Sequence, residues 1–335
     1  MLIDPSGRAL DYLRVSVTDR CNLRCVYCMP PDGVEQRPHE AILRFEEMLR
    51  VCRILAGLGI RRIKVTGGEP LVRKGTVSFI RAVKAIPGVE QVTVTTNGIL
   101  LDRYLDELAA IPLSGLNVSL DSLNPETFRL ITRAQAASAV SPAGIVKTLE
   151  RARSLGIPVK VNCVPLRSVN EGELAGIAAL AEKTVDAVRF IELMPLGCAG
   201  EMDPVPGAAV RSILERRSEH RSLRPTGERL GNGPAVYYEV PGFSGRIGFI
   251  DALSRGFCDT CNRLRLTPEG LLKPCLASAL ALDLKALLRS GASDLRIAEE
   301  VTKAAAQKPA RHTFSDVHGN RREDHKDTAM FRIGG

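Results

Sequence analysis

The sequence predicts an α/β protein built on a parallel sheet, followed by a smaller α+β domain. Three observations lead there. Short β-branched runs alternate with amphipathic stretches, the rhythm of βα units whose helices cover a parallel sheet. Six such units can be counted before the rhythm stops near residue 218. Beyond that point the apolar runs shorten, Gly and Pro become frequent, and cysteine reappears in a spaced group.

The candidate strands are Tyr12–Val17, Arg62–Thr66, Gln91–Thr95, Leu116–Leu120, Val159–Val164 and Val188–Leu193. Amphipathic segments follow near Arg44–Leu58, Thr76–Ile86, Leu101–Ile111, Gly144–Leu155, Glu173–Lys183 and Ala208–Arg217. Six units are two short of a closed eight-stranded barrel. The pattern suits an open six-stranded barrel or a doubly wound sheet, and periodicity does not choose between them. Pro225–Pro234 reads as a connection. Short strands are expected at Val236–Val240 and Gly245–Ile250, and helices near Leu282–Leu288 and Leu295–Ala306. A domain boundary is expected near residue 225, dividing 1–225 from 226–335. His312–Asp327 is polar and charged and reads as a solvated loop.

The chain has 335 residues, 44% apolar and 25% charged, ordinary values for a globular enzyme. Its formal charge of +8 suits an anionic partner, nucleic acid or phosphorylated metabolite, but also simple solubility. No run of about 18 apolar residues exists, so no membrane span is expected. Met1–Leu10 has no apolar core, so no secretory signal is expected and a cytoplasmic location follows. In that compartment nine cysteines point to metal ligands or small core residues rather than disulfides.

Cys21, Cys25 and Cys28 are spaced C-x3-C-x2-C in the loop after the first strand. Four thiolates usually hold a [4Fe–4S] cluster, so three leave one iron open. Zinc is the competing reading, but it wants four ligands, or three plus water, and His39 is the one nearby histidine. With Tyr27 before its last cysteine, the pattern resembles the radical S-adenosylmethionine (SAM) signature. That resemblance implies a partial barrel of six βα units, SAM chelated on the open iron, and a 5′-deoxyadenosyl radical that takes hydrogen from the substrate.

Sites in parallel α/β folds gather at the carboxyl ends of strands. Strand two ends in Thr66-Gly67-Gly68-Glu69-Pro70, a turn on its own, but placed like the family segment that meets the SAM amino group. Glycine lets a backbone approach a ligand closely. Strand three ends in Thr95-Thr96-Asn97-Gly98, strand four carries Ser119 and Asp121, and strand six runs into Met194-Pro195. Lys64 and Lys160 lie inside strands, where an unpaired lysine is costly. Facing a barrel lumen, they would meet an anionic substrate.

Cys258, Cys261 and Cys275 form a second group, C-x2-C-x13-C. A zinc ribbon would want a fourth ligand near Cys275, and none follows. A second cluster with an open iron is the more economical reading. Arg263 and Arg265, just past Cys261, suggest a bound anion. A radical SAM loop, a C-terminal C-x2-C-N-R-L-R…C segment and a final Gly334-Gly335 together resemble the GTP 3′,8-cyclase family, which opens molybdenum cofactor biosynthesis. The resemblance covers the chain from Arg14 to Gly335.

It implies two [4Fe–4S] clusters, on Cys21, Cys25 and Cys28 and on Cys258, Cys261 and Cys275. Tyr27, Gly68, Ser119 and Met194 would line the SAM site. Arg14, Lys64, Thr95, Lys160, Arg263, Leu264 and Arg265 would contact GTP, with Arg263 and Arg265 at the reacting centre. The implied partners are GTP, an electron donor and the next enzyme of the pathway, with no nucleic acid and no membrane, in a monomer or homodimer. Cys52 and Cys163 read as packing residues. One departure is the Ala/Ser-rich stretch Ile131–Pro142, longer than the family's usual segment and expected to lengthen a loop. Two rivals stand beside this reading. One is a peptide-modifying radical SAM maturase, which generally needs more C-terminal cysteines. The other is a zinc-stabilised nucleic-acid-binding protein, which the 4% aromatic content and absence of tryptophan weaken.

Overall fold

The computed structural model describes residues 1–35, 37–134, 141–200, 202–217, 222–312, 314 and 330–333. Most of the Ala/Ser-rich stretch, nearly all of His312–Asp327, and Gly334-Gly335 lie outside the described residues. Apart from a short antiparallel pair, Leu2–Ile3 with Ala9–Leu10, the strands in chain order are β1 (Tyr12–Ser16), β2 (Arg62–Thr66), β3 (Gln91–Thr96), β4 (Gly115–Ser119), β5 (Val159–Cys163), β6 (Ala187–Ile191), β7 (Arg224–Pro225), β8 (Val236–Glu239), β9 (Arg246–Ile250), β10 (Arg263–Leu266), β11 (Leu271–Lys273) and β12 (Leu282–Asp283). Helices are α1 (Phe45–Gly57), α2 (Thr76–Lys84), α3 (Leu101–Ala109), α4 (Pro125–Thr132), α5 (Pro142–Ser154), α6 (Leu174–Lys183), α7 (Gly207–Arg217), α8 (Leu284–Arg289) and α9 (Asp294–Ala305). Among the described residues no helix is long and apolar enough to cross a membrane.

The chain forms two compact units. The first comprises Met1–Asn22, Asp32–Thr95 and Cys258–Gly335. Its strand order is β12-β11-β10-β1-β2-β3. β10, β1, β2 and β3 run parallel, and β11 and β12 extend the edge antiparallel. β1 and β2 alternate, so Leu13, Val15, Ile63 and Val65 are fully buried on one face while Arg14 and Lys64 share the other. α1 places Met48, Val51, Cys52 and Leu55 on its buried stripe. Its start is fixed by Glu47, whose carboxylate accepts from the Arg44 backbone N–H at 2.7 Å.

The second unit comprises Leu23–Pro31 and Thr96–Phe257. Its order is β4-β5-β6-β9-β8-β7, with β4 to β9 parallel and β8 and β7 antiparallel. The α/β class with a mostly parallel sheet is thus as the sequence predicts, and the strand order does not close on itself into a barrel. Several elements differ from the sequence expectation: the short strands β7, β11 and β12 are additional to it, and two further differences bear on the cysteines. α4 precedes the Ala/Ser-rich stretch: Asn124 accepts from the N–H groups of Glu126 and Thr127 at 2.8 and 3.2 Å, with Pro125 opening the helix. And the Arg-Leu-Arg-Leu run after Cys261 is a strand, β10, because Leu264 and Leu266 alternate into the core.

Candidate active site: two cysteine groups and a row of cations

In the first unit, β-pairing sets four basic residues side by side. Lys273 on β11 pairs with Arg265 on β10, Arg265 with Arg14 on β1, and Arg14 with Lys64 on β2. Lys64 in turn pairs with Thr93 on β3. Arg265 is 5% exposed and Lys273 9%. Burial, then repulsion by Arg14 and Arg263, lowers the pKa of Arg265, while Cys261 and Cys275 act the other way. Lys273 is lowered by burial and then by Arg265. The hydroxyls of Thr93 and Thr95, two residues apart on β3, are buried with no hydrogen-bond partner. Buried polar atoms left unsatisfied are expensive, and a bound ligand or water is what satisfies them. Lys273 and Thr93 escaped the sequence reading, because only strand register brings them into line with Arg14 and Lys64. Leu264 is buried on the opposite face from Arg263 and Arg265, so only its backbone is available to a ligand.

Cys258, Cys261 and Cys275 are partly exposed free thiols in the same unit. The Cys261 N–H donates to the Cys258 carbonyl at 3.0 Å in a single 3₁₀ turn. Burial opposes ionisation of Cys261, yet Arg263 and Lys308 outweigh it and bring the thiol down to about 7. Three soft sulfur donors, one of them already biased toward thiolate by neighbouring cations, suit an anionic iron–sulfur cluster. Among the described residues no three His, Cys, Asp or Glu side chains are arranged to hold one metal ion. A four-iron cluster binds each thiolate on a different iron, so it does not require that convergence.

Gly67 and Gly68 have a tighter reason than ligand approach. A Cβ on Gly68 would lie 2.5 Å from the Arg20 carbonyl oxygen, and one on Gly67 2.8 Å from that of Thr18. The N–H groups of Gly68 and Glu69 donate to the carbonyls of Thr18 and Arg20 at 2.7 and 2.9 Å. The turn after β2 therefore clamps the stretch leading into Cys21, a partly exposed cysteine outside any disulfide.

In the second unit, Cys25 and Cys28 sit on a turn in which the N–H groups of Cys28 and Met29 both donate to the Cys25 carbonyl. α4 holds this turn: the N–H groups of Arg24 and Val26 donate to the carbonyls of Thr132 and Ile131, each at 2.9 Å. Tyr27 points inward, packs with Ile131, Leu166 and Leu193, and donates its hydroxyl to Asp121 at 2.7 Å. Burial pushes the Asp121 carboxyl up to about 6, against the opposing hydrogen bonds from the Val164 N–H and Tyr27. Burial, then the Asp121 charge, pushes the Tyr27 phenol well above its ordinary value. The loop offers thiols as its donors, again the set an iron–sulfur cluster takes. Ser119 ends β4 and Met194 follows β6, both partly exposed at carboxyl ends of strands.

A second group of cations, Arg189 and Lys160, lies in this unit. Arg189 on β6 is 5% exposed and donates to Asn162 at 2.9 Å and to Asn117. Lys160 on β5 lies beside it; burial, then Arg189, lowers its pKa to about 8, with Asp186 opposing. Arg189 was missed in the sequence, although an arginine inside Val188-Arg189-Phe190 carries the same signal as Lys160. Cys52 and Cys163 are buried, and burial raises both thiols, Cys52 to about 12.

Comparison with known proteins places this geometry. Residues 15–181 match the model of the radical SAM superfamily, and residues 186–314 match that of Molybdenum Cofactor Synthesis C. A GTP 3′,8-cyclase of Desulforamulus reducens is 44% identical over the whole of both chains. One from Heliobacterium modesticaldum is 45% identical over 94% of this chain and 95% of its own. Among solved structures, Streptococcus suis SuiB bound to S-adenosylmethionine shares the fold at 15% identity, with a TM-score of 0.58. That likeness covers 86% of this chain and 66% of SuiB; against SuiB bound to its precursor peptide SuiA, the likeness spans less than half of that chain's length, 45%. The full-length identities decide the matter: the chain belongs to the GTP 3′,8-cyclase family of the radical SAM superfamily.

Proposed function

We propose that this chain is a lyase that converts GTP to 3′,8-cyclo-7,8-dihydro-GTP, the first step of molybdenum cofactor biosynthesis. The row Lys273–Arg265–Arg14–Lys64 carries the reading. Like charges opposite one another on neighbouring strands are destabilising. A polyanion lying across them turns that cost into binding energy, and a nucleoside triphosphate is such a polyanion. Guanidiniums also match the acceptor edge of guanine, O6 and N7.

A [4Fe–4S] cluster on Cys21, Cys25 and Cys28, with SAM on its open iron, supplies a 5′-deoxyadenosyl radical when bound. Tyr27, Gly68, Ser119 and Met194 are assigned to SAM. Cys258, Cys261 and Cys275 are assigned to a second cluster, which would supply a site for the guanine. Arg14, Lys64, Thr95, Lys160, Arg263 and Arg265, with the Leu264 backbone, are assigned to GTP, and Arg189 joins Lys160. Their task is orientation: ribose C3′ held for hydrogen abstraction, and guanine C8 held within bonding reach of C3′. The six βα units are taken as the partial (β/α)6 barrel that excludes water from the radical, and the segment after residue 225 as the part that carries the second cluster and selects the substrate. We place the enzyme in the reducing cytoplasm, supplied by an electron donor, as a monomer or homodimer.

Arg265→Ala tests the carrying observation. Loss of one charge-assisted contact is worth about 1.5–3 kcal/mol, so GTP affinity falls roughly ten- to a hundredfold. Reductive SAM cleavage without GTP turnover persists in that variant. Unchanged GTP affinity by calorimetry, or loss of both clusters from the variant, would refute the binding role.

A further inference from the structure

Lys308 is 3% exposed, a rare position for a lysine. Its Nζ donates to the Arg263 carbonyl at 2.9 Å and to the Pro274 carbonyl. The first acceptor lies two residues past Cys261, and the second immediately precedes Cys275. Arg8, 8% exposed, ties the third cysteine to the same place. Its Nη1 donates to the carbonyls of Cys258 and Ala310 at 2.6 and 2.8 Å, and its Nη2 to that of Pro309 at 2.7 Å. Asp4 balances Arg8 through its Nε at 2.5 Å. The three cysteine-bearing stretches therefore meet on residues 308–310.

The charges facing Lys308 are Cys261 and Cys275, which favour its ammonium, and Arg8 and Arg263, which oppose it. No carboxylate forms an ion pair with Lys308 among the described residues. A buried ammonium with only carbonyl partners and cationic neighbours is costly unless an anion completes the site. Cys261 and Cys275, as thiolates bound to a cluster, would be that anion.

We propose that Lys308 is the positioning residue of the second cluster: it fixes the Cys261 and Cys275 segments at their working separation and compensates the cluster's negative charge. This rests on the reading that Cys258, Cys261 and Cys275 hold an iron–sulfur cluster. The charge then tunes the cluster as well as holding it, because net charge and hydrogen bonding near the sulfurs set its potential.

The test uses the full-length chain with Cys21, Cys25 and Cys28 changed to Ala, reconstituted anaerobically with iron and sulfide. Lys308, K308M and K308R forms are compared by iron content, thermal melting and an electron-paramagnetic-resonance redox titration. The Lys308 form is expected to take up about four irons, and K308R to match it in content and potential. K308M is expected either to fold without taking up the cluster or to hold one that is harder to reduce by about tenfold, about 59 mV for one electron. A K308M cluster with unchanged content and potential overturns the proposal. So does parallel loss of melting temperature and cluster in both K308M and K308R, which would make Lys308 a loop cross-link alone. A Lys308 form that binds only zinc, or nothing, means the reading of the cysteine group itself fails, and the role of Lys308 with it.

Discussion

Lys160 stays charged against two pressures, burial and the Arg189 guanidinium, and together they bring its pKa to about 8 despite Asp186. The consequence has opposite signs for binding and for folding. Above about pH 8 the free enzyme loses this cation, so, with Lys160 proposed to contact GTP, affinity is expected to fall as pH rises. The unfolded chain keeps its proton up to the ordinary lysine value of 10.5. Between the two values the unfolded state binds more protons, so stability rises with pH. Lys160→Met is expected to flatten both trends, in calorimetric GTP titrations and in urea unfolding at pH 7 to 10. A wild-type GTP affinity that is constant over that range would show that Lys160 does not face the phosphates. The lysine was legible in the sequence as a lone cation in an apolar strand. Arg189 carried the same pattern, but its partners Asn117 and Asn162 come from two other strands, and only the fold assembles them.

The elements that hold the cysteines were less legible than the cysteines. The spacing at Cys21–Cys28 is local, so the sequence carries it whole. What fixes the loop is not local: α4 supplies the carbonyls of Ile131 and Thr132, and the turn after β2 supplies the clamp on residues 18–20. α4 has eight residues and begins at a proline, so it gave too little periodicity to read. The glycines of the β2 turn were legible as glycines. Their reason changed, from room for a ligand to room for the Thr18–Arg20 backbone. Gly68→Ala forces that backbone to shift, and overpacking of this kind costs about 1–3 kcal/mol. The expected outcome is a lower melting temperature together with weaker SAM binding, because the displaced stretch leads directly into Cys21. A Gly68→Ala protein with native melting and native SAM affinity would contradict the clamp.

At the scale of the molecule, the α/β class and the six leading strands followed from periodicity, because each βα unit announces itself within a few dozen residues. The placement of β10 did not. It pairs with β1, from the other end of the chain, and no local pattern encodes a parallel pairing at that separation. That pairing aligns Arg265 with Arg14 and so completes the cationic row, which also gives the excess of +8 a defined place to act. We propose that this row and the two cysteine groups serve one reaction, cyclisation of GTP by a SAM-derived radical. Anaerobic reconstitution followed by incubation with GTP, SAM and reductant tests it most directly. The expected result is about eight irons per chain, 5′-deoxyadenosine formed, and GTP consumed to 3′,8-cyclo-7,8-dihydro-GTP. Tightly bound zinc in place of iron, with no 5′-deoxyadenosine and GTP recovered intact, would contradict it.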